Sequence, residues 1–314
     1  MFANFWVQKN NARPPKAFFI IAGAYDVGDL GKAPAIGGAY TSIYHEHTQL
    51  GYVWTRGTYW IYGRAYGEVK YSTNGGGSWT EITGPADIQQ MIYANGKYYC
   101  VSSNGLHTST DGNTYTIDTG VGAVFCYGIC ANGDKLYVAC ASGLYYSAND
   151  GASWTLRTTT QGLPNNAAWC CLLAGTTLWV GTTGGIGKST DDGANFTAYT
   201  TTQGLHANRV TNMAYDPVNT RLYASNDNAD TRISYTSNAG SNWAYFGQLD
   251  IELYGETTLA DLQYYDGVIY AGGLGSTYAL GYSTDAGANW SYVPIADTFL
   301  SGSACKVYSI WVTA

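Results

Sequence analysis

The chain has 314 residues, 46% of them hydrophobic, with a formal net charge of −7 and only 12% charged residues. That balance leaves too few Lys and Arg to neutralise phosphates, which speaks against a nucleic-acid partner, and no apolar run reaches the roughly 18 residues of a membrane span. With 29 Tyr, 10 Trp and 40 Gly, residues that favour strands and turns, the composition predicts a turn-rich, all-β protein.

Residues 1–17 are expected to form an N-terminal arm or docking segment ahead of a single domain over 18–314. The apolar piece "AFFIIAGAY" follows two prolines, is short and lacks a small-residue cleavage site, so it is not a secretory signal. Synthesis and folding in a cytoplasm are expected. This piece and "GAYTSIYH" are predicted strands. His45-Glu46-His47 puts two imidazoles on one strand face, a spacing metals use, but no third ligand is identifiable and a polar strand surface is expected. Cys100, Cys126, Cys130, Cys140, Cys170, Cys171 and Cys305 are irregularly spaced and odd in number. They are expected to be small buried hydrophobes rather than a disulfide framework or zinc site.

From residue 71 onward one short pattern returns six times: "YSTNGGGSW" at 71–79, "TSTDGNTY" at 108–115, "YSANDGASW" at 146–154, "KSTDDGANF" at 188–196, "YTSNAGSNW" at 235–243 and "YSTDAGANW" at 282–290. The intervals of 37, 38, 42, 47 and 47 residues match a repeat of four short strands, the signature of a β-propeller blade. In the second copy, "DIQQMIYA" predicts a first strand, Asn95-Gly96 a type I′ turn and "KYYCVSS" a second strand. "GLHTS" and "TYTIDT" complete the four around the motif. Asn132-Gly133 and Asp266-Gly267 supply the same turn elsewhere.

Within the motif a hydroxyl (Ser72, Ser109, Ser147, Ser189, Thr236, Ser283) and a short acceptor (Asn74, Asp111, Asn149, Asp191, Asn238, Asp285) can take up turn N–H groups. Glycine at Gly76, Gly151, Gly193, Gly240 and Gly287 allows a left-handed step. An aromatic (Trp79, Tyr115, Trp154, Phe196, Trp243, Trp290) can pack between blades. The second copy is one residue short.

These residues resemble the BNR or Asp-box repeat β-propellers, over about residues 48–295. The resemblance implies that the boxes are structural and lie away from the binding face. Six blades are complete; joining the tail "CKVYSIWVTA" to the N-terminal strands makes a seventh, closed by both termini, which would remove exposed edges. Seven blades are favoured, with six as the alternative. A Thr-Gln-Gly-Leu pattern shared by two neighbouring repeats resembles the propeller repeats of two-component sensor ectodomains.

Sialidases of this type clamp a carboxylate with three arginines. Here Arg13, Arg56 and Arg64 precede the first box, and Arg209, Arg221 and Arg232 crowd into two neighbouring blades, so sialidase chemistry is not expected. The acidic residues Asp227, Asp230, Asp250, Glu252, Glu256 and Asp261 leave a two-carboxylate glycoside hydrolase as a third alternative, with solvated loop carboxylates as the plainer reading. "NDNAD" at 226–230 offers oxygens to calcium without EF-hand spacing. No catalytic set and no cofactor are expected.

Loops joining strands two to three, and four to the next blade's one, share a face. That face carries Arg64, Tyr66, Asn165, Asn166, Trp169, His206, Asn208, Arg209, Asp227, Asp230, Arg232, Tyr254 and Tyr278, a mixture suited to carbohydrate or protein recognition. The expected function is a non-catalytic binding or structural propeller of a phage virion (tail, fibre or particle surface). It would dock to other virion proteins through the arm and contact a host-surface glycan or protein. A cellular binding or assembly-factor propeller is the alternative.

Overall fold

The computed structural model describes residues 17–24, 27–33, 41–46, 50–64, 69–226, 232–251, 259, 261–275, 278–294 and 305–313. Six antiparallel four-stranded sheets follow one another as blades. Blade I comprises Leu50–Arg56, Tyr59–Arg64, Val69–Ser72 and Thr80–Ile82; blade II comprises Ile88–Ala94, Lys97–Ser102, Gly105–Ser109 and Thr116–Ile117. Blade III comprises Cys126–Asn132, Lys135–Cys140, Gly143–Ser147 and Thr155–Arg157; blade IV comprises Ala168–Ala174, Thr177–Thr182, Gly185–Ser189 and Thr197–Tyr199. Blade V comprises Val210–Asp216, Arg221–Asn226, Ile233–Thr236 and Ala244–Tyr245; blade VI comprises Asp261–Tyr265, Val268–Gly272, Tyr278–Ser283 and Ser291–Pro294.

Six complete blades are thus present, the count given above as the alternative. The two ends of the chain meet in a further, five-stranded sheet ordered Leu274–Gly275, Cys305–Thr313, Ala17–Ala24, Val27–Ala33, Thr41–Glu46. Each innermost strand touches that of the next blade, and Cys305–Thr313 touches those of blades VI and I, which closes the ring. Strand Val27–Ala33 and the short Leu274–Gly275 were not expected; both are glycine-bearing and carry little strand signal. The expected arm lies outside the described residues except for Ala17. Among the described residues no helix is long and apolar enough to cross a membrane. Among the described residues the single 3-10 turns Thr159–Gln161 and Thr201–Gln203 are capped by Thr158 and Thr200 and form the repeated Thr-Gln-Gly-Leu segments.

The core sits in the seams between blades. Ile92, Val101 and Leu106 of blade II pack with Ile129, Leu136 and Val138 of blade III. Comparable two-blade clusters fill the I/II, III/IV, IV/V and V/VI seams. Each such aliphatic side chain contributes about 1.5–3 kcal/mol on burial, and no blade can bury this surface alone.

The motif residues staple the turn between strands three and four. Ser72 Oγ donates to Asn74 Oδ1 at 2.8 Å and accepts the Gly76 N–H at 2.9 Å, while Asn74 Oδ1 accepts the Ser78 N–H at 2.9 Å. Ser283, Asp285, Gly287 and Asn289 repeat the set at 2.9, 2.8 and 2.8 Å. In the shortened copy Asp111 Oδ1 takes both the Asn113 and Thr114 N–H groups. Hydrogen bonds from the Thr114 and Asn113 backbone, then from the Ser109 hydroxyl, hold the Asp111 carboxyl at a pKa of about 2. The Asn195 side chain and backbone, with Ser189, hold Asp191 at about 2. Asp285 is lowered mainly by the Asn289 backbone and side chain.

The turns of blades III, IV and VI also dock on the preceding blade. Asp150 accepts from Lys97 Nζ at 2.6 Å, Tyr99 Oη at 2.5 Å and Asn95 Nδ2 at 2.9 Å. Asp192 accepts from Lys135 at 2.6 Å and Tyr137 at 2.7 Å, and the Ala286 carbonyl accepts from Arg221 Nη1 at 2.7 Å. These ion pairs are partly exposed, worth at most about 1 kcal/mol each, so they orient the seam while apolar burial stabilises it. At Gly240 (φ +92°) the preceding blade leaves no space: an added Cβ would lie 2.8 Å from Tyr199 Cζ and 3.0 Å from Trp179 Cη2.

Gly240→Ala is therefore expected to cost about 2–4 kcal/mol through strain and overpacking. Gly175→Ala, also at positive φ but with nothing within 4 Å, should cost only about 1 kcal/mol. Equal losses in chemical denaturation would show that the aromatic seam is not rigid there. A second expectation concerns acid. Depressed carboxyl pKa values contribute stability above the unfolded value of about 4 that is lost as pH falls through about 2. The triple variant Asp111→Asn, Asp191→Asn, Asp285→Asn keeps the acceptor that Asn74, Asn149 and Asn238 already provide. It should fold, and its stability should fall less steeply than wild type between about pH 4 and about pH 2; an unchanged slope in acid titrations would refute the assignment.

Candidate functional site

Five inner strands carry a β-bulge at the same place near their start. The register shifts between Leu50 and Tyr52, Ile88 and Gln90, Cys126 and Gly128, Ala168 and Cys170, and Val210 and Asn212. The extra residues are Gly51, Gln89, Tyr127, Trp169 and Thr211. Bulges re-aim side chains and recur beside functional sites. The residue after the bulge turns to the next blade in three cases: Tyr52 Oη accepts the Met91 N–H at 3.1 Å, Gln90 Oε1 accepts the Ile129 N–H at 2.7 Å and Asn212 Nδ2 donates to the Leu259 carbonyl at 3.5 Å. In blade VI, Asp261 to Tyr265 pair with Gly272 to Val268 without a shift.

The two aromatic bulge residues form the centre of a ladder across three blades. The Phe125 and Tyr127 rings stack 4.5 Å apart, Tyr127 and Trp169 lie 4.2 Å apart at 38°, and the Arg209 guanidinium sits 4.5 Å from the Trp169 ring. Trp169 Nε1 donates to Thr183 Oγ1 at 3.1 Å, which fixes the indole. All four ladder side chains are half-buried at the rim where the inner strands begin. Burial raises the Tyr127 phenol pKa, with the Arg209 charge opposing it, so the hydroxyl stays protonated at neutral pH.

Of the residues singled out on this face, Trp169 and Arg209 come together here. His206 and Arg232 form a second group around Tyr245, with ring centroids 4.8 Å apart for His206 and the Arg232 guanidinium 5.6 Å from the Tyr245 ring. Asn166 and Asn208 are held inside their own loops, accepting the Thr159 and Thr201 N–H groups at 2.9 and 2.8 Å. Asn165 Oδ1 accepts the Ala167 N–H at 2.9 Å. Tyr66, Asp227, Asp230 and Tyr254 lie outside the described residues, as do the side chains of Arg64 and Tyr278, which end strand Tyr59–Arg64 and begin strand Tyr278–Ser283. The calcium candidate at 226–230 lies outside them except for Asn226, as do the side chains of His45 and Glu46 and all of His47. Phe125 and Tyr127 were not anticipated, although Tyr127 stands 42 residues before Trp169, the same interval that separates the boxes at Ser147 and Ser189.

Ser102 Oγ lies 3.4 Å from His107 Nδ1, a nucleophile-and-base spacing. Both are buried, and Ser102 Oγ donates to Asn104 Oδ1 and the Gly105 carbonyl. Thr182 Oγ1 donates to the Gly185 carbonyl in the same way, so the pair belongs to a recurring turn. Burial lowers the His107 pKa. Beside the box turn of blade VI a groove of about 670 Å³ is lined by Arg221, Tyr235, Phe246, Gln248, Asn289 and Trp290 among others.

Blades of this strand order around a closed ring define a β-propeller. Residues 40–177 match the DUF6242 beta propeller domain family. Curated protein sequences give no match. Among solved structures, the chain is similar to an ancestral GH74 enzyme (18% identity, TM-score 0.63), covering 81% of this chain and 39% of that one. It is similar to an extracellular domain assigned to a hybrid two-component system of B. thetaiotaomicron (13% identity, TM-score 0.66), covering 85% and 38%. It also resembles YCF48 bound to D1 peptide (16% identity, TM-score 0.54), covering 70% and 71%. The chain spans about two-fifths of the length of the first two, and identities this low establish the fold alone.

Proposed function

We propose that this protein is a non-catalytic recognition propeller that engages a protein or glycan through the rim carrying Tyr127, Trp169 and Arg209. The ladder carries the proposal: Trp, Tyr and Arg are the residues most enriched among binding hot spots. Here bulges in the inner strands hold Tyr127 and Trp169, and Arg209 packs on the Trp169 ring, so little entropy is lost when a partner orders them. The similarity to a propeller bound to a peptide supports a polypeptide partner for this type of surface. The finer assignment is to a phage particle, as a tail, fibre or surface component, with residues 1–17 docking to other particle proteins. A chain with 12% charged residues and 29 Tyr suits a densely packed particle surface.

The test combines location with binding. Cryo-EM of native particles should place the ring on the virion with the Trp169 rim outward. Purified protein should bind a host-envelope glycan or protein without hydrolysing it, and Trp169→Ala or Arg209→Ala should weaken binding by about tenfold or more. Asp285→Asn, on the box side, serves as a control that leaves affinity unchanged. Absence of the chain from particles would refute the virion assignment, and binding indifferent to both rim substitutions would refute the site.

A further inference from the structure

We propose that Cys126 and Cys140 form a cross-strand disulfide when the folded protein meets a small-molecule disulfide oxidant, making blade III the ring's site of oxidative cross-linking. The two residues are direct register partners in neighbouring strands of blade III. Directly opposed Cβ atoms in antiparallel strands lie about 4.5–5.5 Å apart, near the upper limit for disulfides. The thiols already face each other, with Sγ atoms 2.7 Å apart, both fully buried. Reaching the bonded separation needs a movement of about 0.7 Å. The bulge between Cys126 and Gly128 offers the backbone latitude for it.

Comparison with the sister blades shows that the pair departs from the repeat. The positions matching Cys140 hold Ser102 in blade II and Thr182 in blade IV. Their hydroxyls donate to the Gly105 and Gly185 carbonyls at 2.8 Å and staple the turn to the third strand. Their register partners are Ile88 and Ala168. Blade III gives up that staple: the Cys140 thiol lies against Cys126 and 3.8 Å from the Val138 carbonyl instead. Two substitutions at one paired position replace a side-chain-to-backbone bond with a thiol pair, an arrangement that a bridge would complete.

The chemistry balances with oxidised glutathione as the co-reactant. One cysteine thiolate attacks a glutathione sulfur, forming a mixed disulfide and expelling glutathione thiolate. The second cysteine thiolate then attacks the protein sulfur and expels the other glutathione. Two protein thiols become one disulfide, one glutathione disulfide becomes two glutathiones, and the two protons pass to the leaving thiolates. Burial raises the Cys140 pKa, so the reaction proceeds through local opening. Cys140 ends its strand beside the exposed Ala141, where such opening is easiest.

The experiment uses the full chain, reduced and then incubated with oxidised glutathione, with and without low urea to promote local opening. Thiols counted after denaturation should fall from seven to five. The mass should drop by two hydrogens, and peptide mapping should link Cys126 to Cys140. The bridged form should unfold about 5 °C higher, and dithiothreitol should reverse the gain. Cys126→Ala and Cys140→Ala should each abolish the link, and the wild-type map stands independently if either variant folds poorly. Seven thiols persisting in both conditions, or a link joining Cys130 to Cys171 instead, would overturn the proposal. The result does not depend on whether the Trp169 rim binds anything.

Discussion

The contact on which the rest of this ring depends is the seating of a box turn on the blade before it, in three joints on that blade's second strand. Asp150 on Lys97 and Tyr99, Asp192 on Lys135 and Tyr137, and the Ala286 carbonyl on Arg221 are the same joint in two chemical forms. The joint sets the angle between neighbours, and the apolar seam beneath it supplies the energy. Because every cluster among the described residues draws on two blades, the ring is stable as a cycle and not as a set of parts.

The box turn therefore works inward and outward at once. Inward, one hydroxyl and one short acceptor satisfy three backbone or side-chain donors, a compact answer to an excursion of six or seven residues that no ladder covers. Outward, the residue after the acceptor sits in a left-handed conformation at Asp150, Asp192, Ala239 and Ala286, and presents a carboxylate or carbonyl to the neighbour. Where that residue is acidic the neighbour brings lysine and tyrosine; where it is alanine the carbonyl alone suffices. This explains why the acceptor slot is nearly invariant in chemistry across the six copies while the next slot varies.

Much of the architecture was readable because it is periodic. The pattern of the second repeat predicts the strands Ile88–Ala94, Lys97–Ser102 and Gly105–Ser109 almost to the residue. Its fourth strand shrinks to Thr116–Ile117 because Asp118 folds back to accept the Gly120 N–H. The candidate site was only half readable. Trp169 and Arg209 stand out as exposed-type residues in loops, but a bulge has no residue signature, so nothing marks Tyr127 beyond its 42-residue spacing from Trp169. Asn166 and Asn208 carried the amide signal of a binding surface and turned out to close their own loops. The Cys126–Cys140 pairing was invisible because a bulge creates it: the Asn132-Gly133 turn sets a register that would place Cys140 opposite Tyr127, and only the one-residue shift before Gly128 brings Cys126 there.

The pairing of Ala17–Ala24 with Cys305–Thr313 has a consequence for how the protein is born. Until residue 305 leaves the ribosome the ring stays open, with the first strands of the chain lacking their inner partner. At about 5–20 residues per second, synthesis of the intervening chain takes about 15–60 s. Throughout that interval the nascent chain carries unpaired strand edges and half-formed seams, in a sequence rich in tyrosine and poor in charge. Protection of that nascent arc then matters until strand Cys305–Thr313 arrives to pair with Ala17–Ala24 and seal the ring.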